Sequence, residues 1–153
     1  MSTSDIYNYL KVNERVITAG QPTEEQLRAA AAEGITCVIN LVPSENQSAL
    51  ANEGAIVQAL GMKYQHIPVD WAAPKDDDFA AFDAALHATA DDKVLIHCAA
   101  NFRVTAFYSL FALKHLGWTA DQAAEFRSII WQGSDYPVWE AFIARLTAEI
   151  TGD

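Results

Sequence analysis

Four short apolar runs rich in β-branched residues punctuate the chain: Arg15–Thr18, Ile35–Val42, Tyr64–Val69 and Val94–His97. Stretches with helical spacing separate them, and that alternation predicts βαβ units around a mostly parallel sheet. Thr23-Glu24-Glu25-Gln26, with Pro22 ahead of it, reads as a capping box opening a helix that runs through Leu27 and stops at Gly34. Ile35–Val42 is almost continuously apolar, as expected of a strand covered on both faces. A second helix is predicted over Ser48–Leu60, interrupted in pattern by Gly54 and ended by Gly61. A third starts at Asp76-Asp77-Asp78, where acidic residues suit the positive end of a helix dipole, and continues through Phe79, Phe82 and Leu86. After Val94–His97 the chain turns at once into a long helix. Val104, Phe107, Phe111 and Leu116 fall mostly on one face of it, and Gly117 ends it. A capping box at Thr119-Ala120-Asp121-Gln122 opens a fifth helix through Phe126, Ile129 and Ile130. Asp135 with Pro137 starts the last, whose stripe is Trp139, Phe142, Ile143, Leu146 and Ile150. Trp118, Trp131 and Trp139 are assigned to packing in this C-terminal helical layer.

The expected fold is thus α/β: a small sheet of about four or five strands flanked by about six helices. The 153 residues are about half apolar, enough for one domain spanning 1–153 with a core that needs neither disulfide nor structural metal. The formal charge of −10 repels nucleic acid and anionic membranes, so neither is an expected partner. An anion site in such a chain has to work by local geometry. Cys37 and Cys98 suggest no disulfide framework and fit a reducing compartment. Met1 to Leu10 carries Asp5, Tyr7 and Asn8 and no apolar segment, which is not a signal-peptide pattern, and no apolar run approaches membrane-spanning length. The expectation is a cytoplasmic domain.

The chemistry is concentrated in Val94-Leu95-Ile96-His97-Cys98-Ala99-Ala100-Asn101-Phe102-Arg103. Ligands of open α/β sheets bind beyond the carboxyl ends of strands, and here a buried strand delivers Cys98 to that edge with a helix starting directly after it. The helix N-terminus and Arg103 favour the thiolate at Cys98. Successive backbone N–H groups in a tight turn form a nest for an oxyanion, and Arg103 can grip two oxygens of a phosphoryl group. A solvent-facing cysteine is expected here. Ala99, Ala100, Asn101, Phe102, Val104 and Thr105 are the candidate substrate-binding positions.

His-Cys-loop-Arg after an apolar strand resembles the signature loop of the protein tyrosine and dual-specificity phosphatases. Thr18-Ala19-Gly20-Gln21-Pro22-Thr23 followed by a helix and Val38-Ile39-Asn40-Leu41 resembles the bacterial phosphatase-like domain found in β-lactamase-hydrolase-like proteins. His66-Ile67-Pro68-Val69 and Leu113-Lys114-His115-Leu116-Gly117-Trp118 are similar to that group too. The resemblance implies a three-layer phosphatase-type architecture. It implies phosphomonoester hydrolysis, with a phosphorylated protein or small phosphomonoester as partner and no metal or organic cofactor. Cys98 would form a phosphocysteine, an aspartic acid would protonate the leaving group, and His97 would support the cysteine.

The chain departs from the usual loop, which has five residues between Cys and Arg. Here there are four, a spacing that rhodanese-type sulfurtransferases also use. Sulfur transfer and a non-catalytic phosphate-binding module therefore stand as alternative functions. With no glycine in the loop, Asn101 is the residue that best tolerates a positive φ. Thr105 is placed either to stabilise the leaving thiolate or to bond back to a helix carbonyl. Asp70, directly after Ile67-Pro68-Val69, is the preferred general acid, with Asp76, Asp77 and Asp78 as competitors, Asp78 being better suited to a helix cap. Trp71 either walls the pocket or packs, and Gln132 is a loose candidate for positioning water. His66, His87 and His115 show no metal-ligand spacing, and Cys37 is assigned to the core.

Overall fold

The computed structural model describes residues 2–132 and 136–152. Five strands, β1 (Leu10–Lys11), β2 (Val16–Ala19), β3 (Cys37–Asn40), β4 (Lys63–His66) and β5 (Val94–His97), form one sheet in the order β1-β2-β5-β3-β4. All neighbouring pairs are parallel except β1 with β2. The short antiparallel β1 at the edge has no signal in the apolar pattern. The other four strands fall on the four apolar runs: β5 coincides with its run, β3 is shorter at both ends, and β2 and β4 each reach one residue beyond theirs.

Side chains alternate across the sheet, and the two resulting faces are covered by different helices. Ile17, Ala19, Val38 and Leu95 pack with Leu27, Ala30 and Val57, which belong to α1 (Glu24–Ala32) and α2 (Glu53–Ala59). Val16, Cys37, Ile39, Val94 and Ile96 face a larger layer on the other side. That layer comprises α3 (Asp76–Ala88), α4 (Phe102–His115), α5 (Ala120–Trp131) and α6 (Pro137–Thr151). The result is a three-layer α/β architecture.

Three expectations change. α2 begins at Glu53 rather than at Ser48, and Gly54 lies in its first turn because the Tyr64 ring occupies the space beside it. A Cβ there would sit 3.1 Å from two Tyr64 ring carbons. α4 is buried on every side from Arg103 to Leu113, since α5 and α6 cover the face turned away from the sheet. Leu116, at its end, is 50% exposed rather than part of a buried stripe. In α5, Ala123 and Trp131 are the buried residues and Ile129 is exposed. α6 buries Trp139, Phe142, Ile143 and Leu146 as its spacing predicts, with Pro137 in its first turn; Asp135 lies outside the described residues. No described helix is long and apolar enough to cross a membrane.

Candidate active site

The parallel strands end in register. Ala19, Asn40 and His97 stand side by side, with His66 next to Asn40. Cys98 therefore leaves the middle strand at the carboxyl edge of the sheet, where two neighbouring strands hold its base. Strand alternation sends the Cys98 side chain to the α3–α6 side and His97 to the α1–α2 side. Cys98 is 0% exposed, so the expectation of a solvent-facing cysteine is corrected: it sits beneath the loop, packed in the larger core.

The loop from Cys98 to Arg103 is clasped by the segment after β2. Gln21 N–H donates to the Ala99 carbonyl at 3.1 Å, and a Cβ at position 20 would lie 2.7 Å from that same oxygen, so only glycine fits there. Asn101 takes φ 70° and ψ 7°, making the turn into α4. Its amide donates to the Asn8 carbonyl at 2.8 Å and to Thr18 Oγ1 at 3.0 Å. Asn8 in turn donates to the Ala100 carbonyl at 2.9 Å. Most of Thr18-Ala19-Gly20-Gln21 thus touches the loop, which explains physically why the two motifs occur together. Among the described residues the N–H groups of Ala99, Ala100, Phe102, Arg103 and Val104 have no acceptor. The last three are first-turn donors of α4, the end of a helix that attracts anions.

Arg103 is 5% exposed, and its Nε donates to the Val69 carbonyl at 2.9 Å. Its guanidinium carbon lies 5.4 Å from the centre of the Trp71 ring. Among the described residues Arg103 forms no ion pair. A nearly buried cation with no carboxylate partner is costly unless an anion completes it. That is the more telling in a chain with ten more acidic than basic residues. Arg103 lines a cavity of about 630 Å³ together with Ala99, Ala100 and Phe102, and with the aromatic rings of Tyr7, Trp71 and Tyr136. Trp71 stacks on Trp139 at 5.2 Å and meets Tyr136 edge-on at 5.0 Å, while Phe102 stacks on Trp131 at 5.1 Å. The Trp139 indole donates to the Trp71 carbonyl at 2.7 Å, so the C-terminal helix positions the wall of this cavity.

Behind the loop, His97 Nε2 lies 2.7 Å from Glu53 Oε2, both buried. Gln21 Nε2 donates to the other Glu53 oxygen at 2.8 Å. Burial alone would raise the Glu53 carboxyl, but the His97 hydrogen bond and charge, with the Gln21 amide, hold it below the ordinary range. A carboxyl depressed on folding contributes stability above its unfolded pKa of about 4.3, and that contribution is lost as pH falls through the folded value. Glu53→Ala is expected to cost about 3–5 kcal/mol at pH 7 by leaving His97 and Gln21 unpaired. In urea titrations followed by circular dichroism the gap from the parent should narrow below about pH 4; a gap that stays constant with pH would show that Glu53 is not ionised in this network.

The structure sorts the remaining candidates. Asp70 is exposed, directly follows the Val69 that holds Arg103, and accepts the Ala72 N–H at 3.0 Å in a tight turn. Asp76 pairs with Arg145 at 2.6 Å and Asp78 accepts the Lys75 N–H at 3.0 Å, so both are engaged at the start of α3, while Asp77 is exposed there. Three of the candidate substrate-binding residues have side chains engaged within the protein. Val104 is buried in the core, and Asn101 is spent on Asn8 and Thr18. Thr105 donates to the Asn101 carbonyl at 2.8 Å and accepts the Trp131 indole at 3.0 Å, so its hydroxyl braces the loop. Gln132 ends α5, with its amide on the Ile129 carbonyl at 3.0 Å. Cys37 pairs with Val94, four residues before Cys98 on β5, a separation of about 13 Å at about 3.3 Å per residue. That is too far for a disulfide. Burial, with Asp92 adding to it, pushes the Cys37 thiol up to about 11. Glu53, Asn8 and Trp139 are the residues sequence reasoning missed; Glu53 lies in a stretch read only as a weak helix.

Residues 8–114 match the family described as the phosphatase-like domain of beta-lactamase hydrolase-like proteins. A beta-lactamase hydrolase-like protein of Xylella fastidiosa is 32% identical over 102 residues, covering 65% of this chain and 23% of that protein. The chain therefore spans about a quarter of that curated relative's length. A candidate phosphatase from Shewanella putrefaciens superposes with a TM-score of 0.87 at 33% identity, covering 96% of this chain and 95% of its own. P. aeruginosa TpbA, crystallised with phosphotyrosine, has a TM-score of 0.75 at 14% identity, covering 100% and 94%, a likeness of fold.

Proposed function

The chain belongs to the phosphatase-like domain family of beta-lactamase hydrolase-like proteins, and from that premise we propose that it hydrolyses phosphotyrosine-type phosphomonoesters through Cys98. The observation that carries the proposal is Arg103, buried and without an ion-pair partner among the described residues, beside loop N–H groups that likewise have no acceptor there. A phosphoryl dianion supplies what both lack. The aromatic walls Tyr7, Trp71 and Tyr136 suit an aryl group above the phosphate.

In the proposed reaction the substrate dianion lies on the loop N–H groups and on the guanidinium nitrogens that Val69 leaves unused. The Cys98 thiolate attacks phosphorus as the ester P–O bond breaks, and Asp70 delivers a proton to the departing oxygen. The same carboxylate then takes a proton from water, which displaces the thiolate and releases phosphate. Cys98 is buried, so substrate has to engage it from the cavity floor, with the loop opening over the sulfur. The short, glycine-free loop is braced by Asn101 and Thr105 from behind, which leaves its N–H edge for the anion.

Asp70→Asn tests the acid role. The variant is expected to lose about 10²–10⁴-fold on alkyl or poor aryl leaving groups and much less on nitrophenyl phosphate, whose leaving group needs no proton. Equal losses on both, or none, would remove Asp70 from the role and leave the exposed Asp77 as the competitor. Thiosulfate-to-cyanide transfer by the parent, without phosphate release, would replace the proposal by sulfur transfer. Anion binding with neither activity would make the domain a phosphate-binding module.

A further inference from the structure

Away from the loop, at the far end of α4, lies a cluster that the proposed reaction does not use. We propose that Asp83, His87 and His115 form a binding site for a divalent transition metal, zinc or a metal of similar preference. Asp83 and His87 are one turn apart on α3, and His115 is in the last turn of α4. Spacing alone hides the set, because the two histidines stand 28 positions apart, on different helices (87 to 115). Their nearest donor atoms all lie within 4.8 Å of one another. Asp83 Oδ1 is 2.9 Å from His87 Nδ1 and 2.9 Å from His115 Nε2.

Tetrahedral zinc with bonds of about 2.0–2.1 Å spaces its ligand atoms roughly 3.3 Å apart, so the three donors need to move only slightly. Two imidazoles and a carboxylate are a donor set that zinc accepts, leaving one position for water. The supports around the donors are already present. Both rings pack on Phe111, His87 at 5.5 Å and His115 at 5.0 Å, which restricts their orientation. Lys114 Nζ holds Asp83 Oδ2 at 3.0 Å, keeping Oδ1 turned to the histidines. His87 Nδ1 also lies 2.9 Å from the Asp83 carbonyl, and the ring gives up that bond on coordination by turning about its soft outer torsion.

Metal here would staple α3 to α4. α4 has 14 residues, so the site stands about 20 Å along the helix from the catalytic loop. Its role is therefore structural or regulatory.

The test uses the full chain, free of any histidine tag and carrying Cys98→Ser, so that zinc cannot bind the reactive thiol. Calorimetric titration with zinc is expected to give one ion per chain and a higher thermal midpoint, and cobalt to give visible absorption typical of low coordination number. His87→Ala and His115→Ala should each weaken zinc binding by at least about tenfold, more than loss of an outer-shell partner does, and abolish the thermal shift. His66→Ala should leave both unchanged. Absence of zinc binding by the Cys98→Ser chain, or binding that survives both histidine substitutions, overturns the proposal. His115→Gln, which keeps a polar side chain of similar size, separates loss of a ligand from loss of packing on Phe111.

Discussion

Cys98→Ser is expected to reduce aryl phosphate hydrolysis at least about a thousandfold, because in the proposed mechanism it removes the nucleophile. The substitution changes one buried atom at the base of the loop. It leaves Arg103 on the Val69 carbonyl, Asn101 on Asn8 and Thr18, and Gln21 on Ala99. Anion binding should therefore persist. Inorganic phosphate should raise the thermal midpoint of Cys98→Ser about as much as that of the parent. Turnover and binding then separate cleanly: hydrolysis that survives in Cys98→Ser would refute the phosphocysteine mechanism, whatever the phosphate titration shows.

Arg103→Ala is expected to cost about 10²–10⁴-fold in kcat/KM and to abolish stabilisation by phosphate. Removing a buried charge that has no ion-pair partner among the described residues should at the same time leave the chain as stable as the parent or more so in the absence of anion. Loss of function with gain of stability is the mark of a group held for its ligand. A structural arginine would lower both. Only part of the guanidinium is used internally, through Nε to the Val69 carbonyl, with the Trp71 ring beside it. Arg103→Lys keeps the charge but loses both the fixed fork and that bond, so it should recover little of the activity. The comparison is made by steady-state kinetics on an aryl phosphate and by urea unfolding of each variant.

How much of this was legible beforehand depended on how local each determinant is. Thr23 and Thr119 cap their helices through residues three positions on, so the capping boxes read directly from the sequence. Asn101 was assigned a positive φ because only one residue in the loop tolerates it well, and it has φ 70°. β1 was missed because its two residues pair only with β2 and carry no pattern of their own. Glu53 was missed for a similar reason. Its partner His97 lies 44 residues away, and nothing in either neighbourhood announces the pairing. His87 and His115 show no ligand spacing in the sequence because they stand on two different helices, and only the packing of α3 on α4 brings them together.

The sequence by itself determined the α/β class, the carboxyl-edge position of Cys98 and the pairing of that cysteine with Arg103, because strand period, helix starts and a short loop are local properties of the chain. It also determined that any anion site here must rely on geometry, since the net charge is unfavourable. Only the tertiary structure decided that Cys98 is buried, that the Thr105 and Asn101 side chains hydrogen-bond to the loop and its clasp, and that Trp71 and Tyr136 wall the cavity. Those outcomes depend on which side chains arrive from α5, α6 and the segment before β2, and each hydrogen-bonding group goes to the nearest partner that the packed layers supply. Arg103 is where the two levels meet: its place after Cys98 is read from the chain, and its burial without an ion-pair partner among the described residues is a property of the fold.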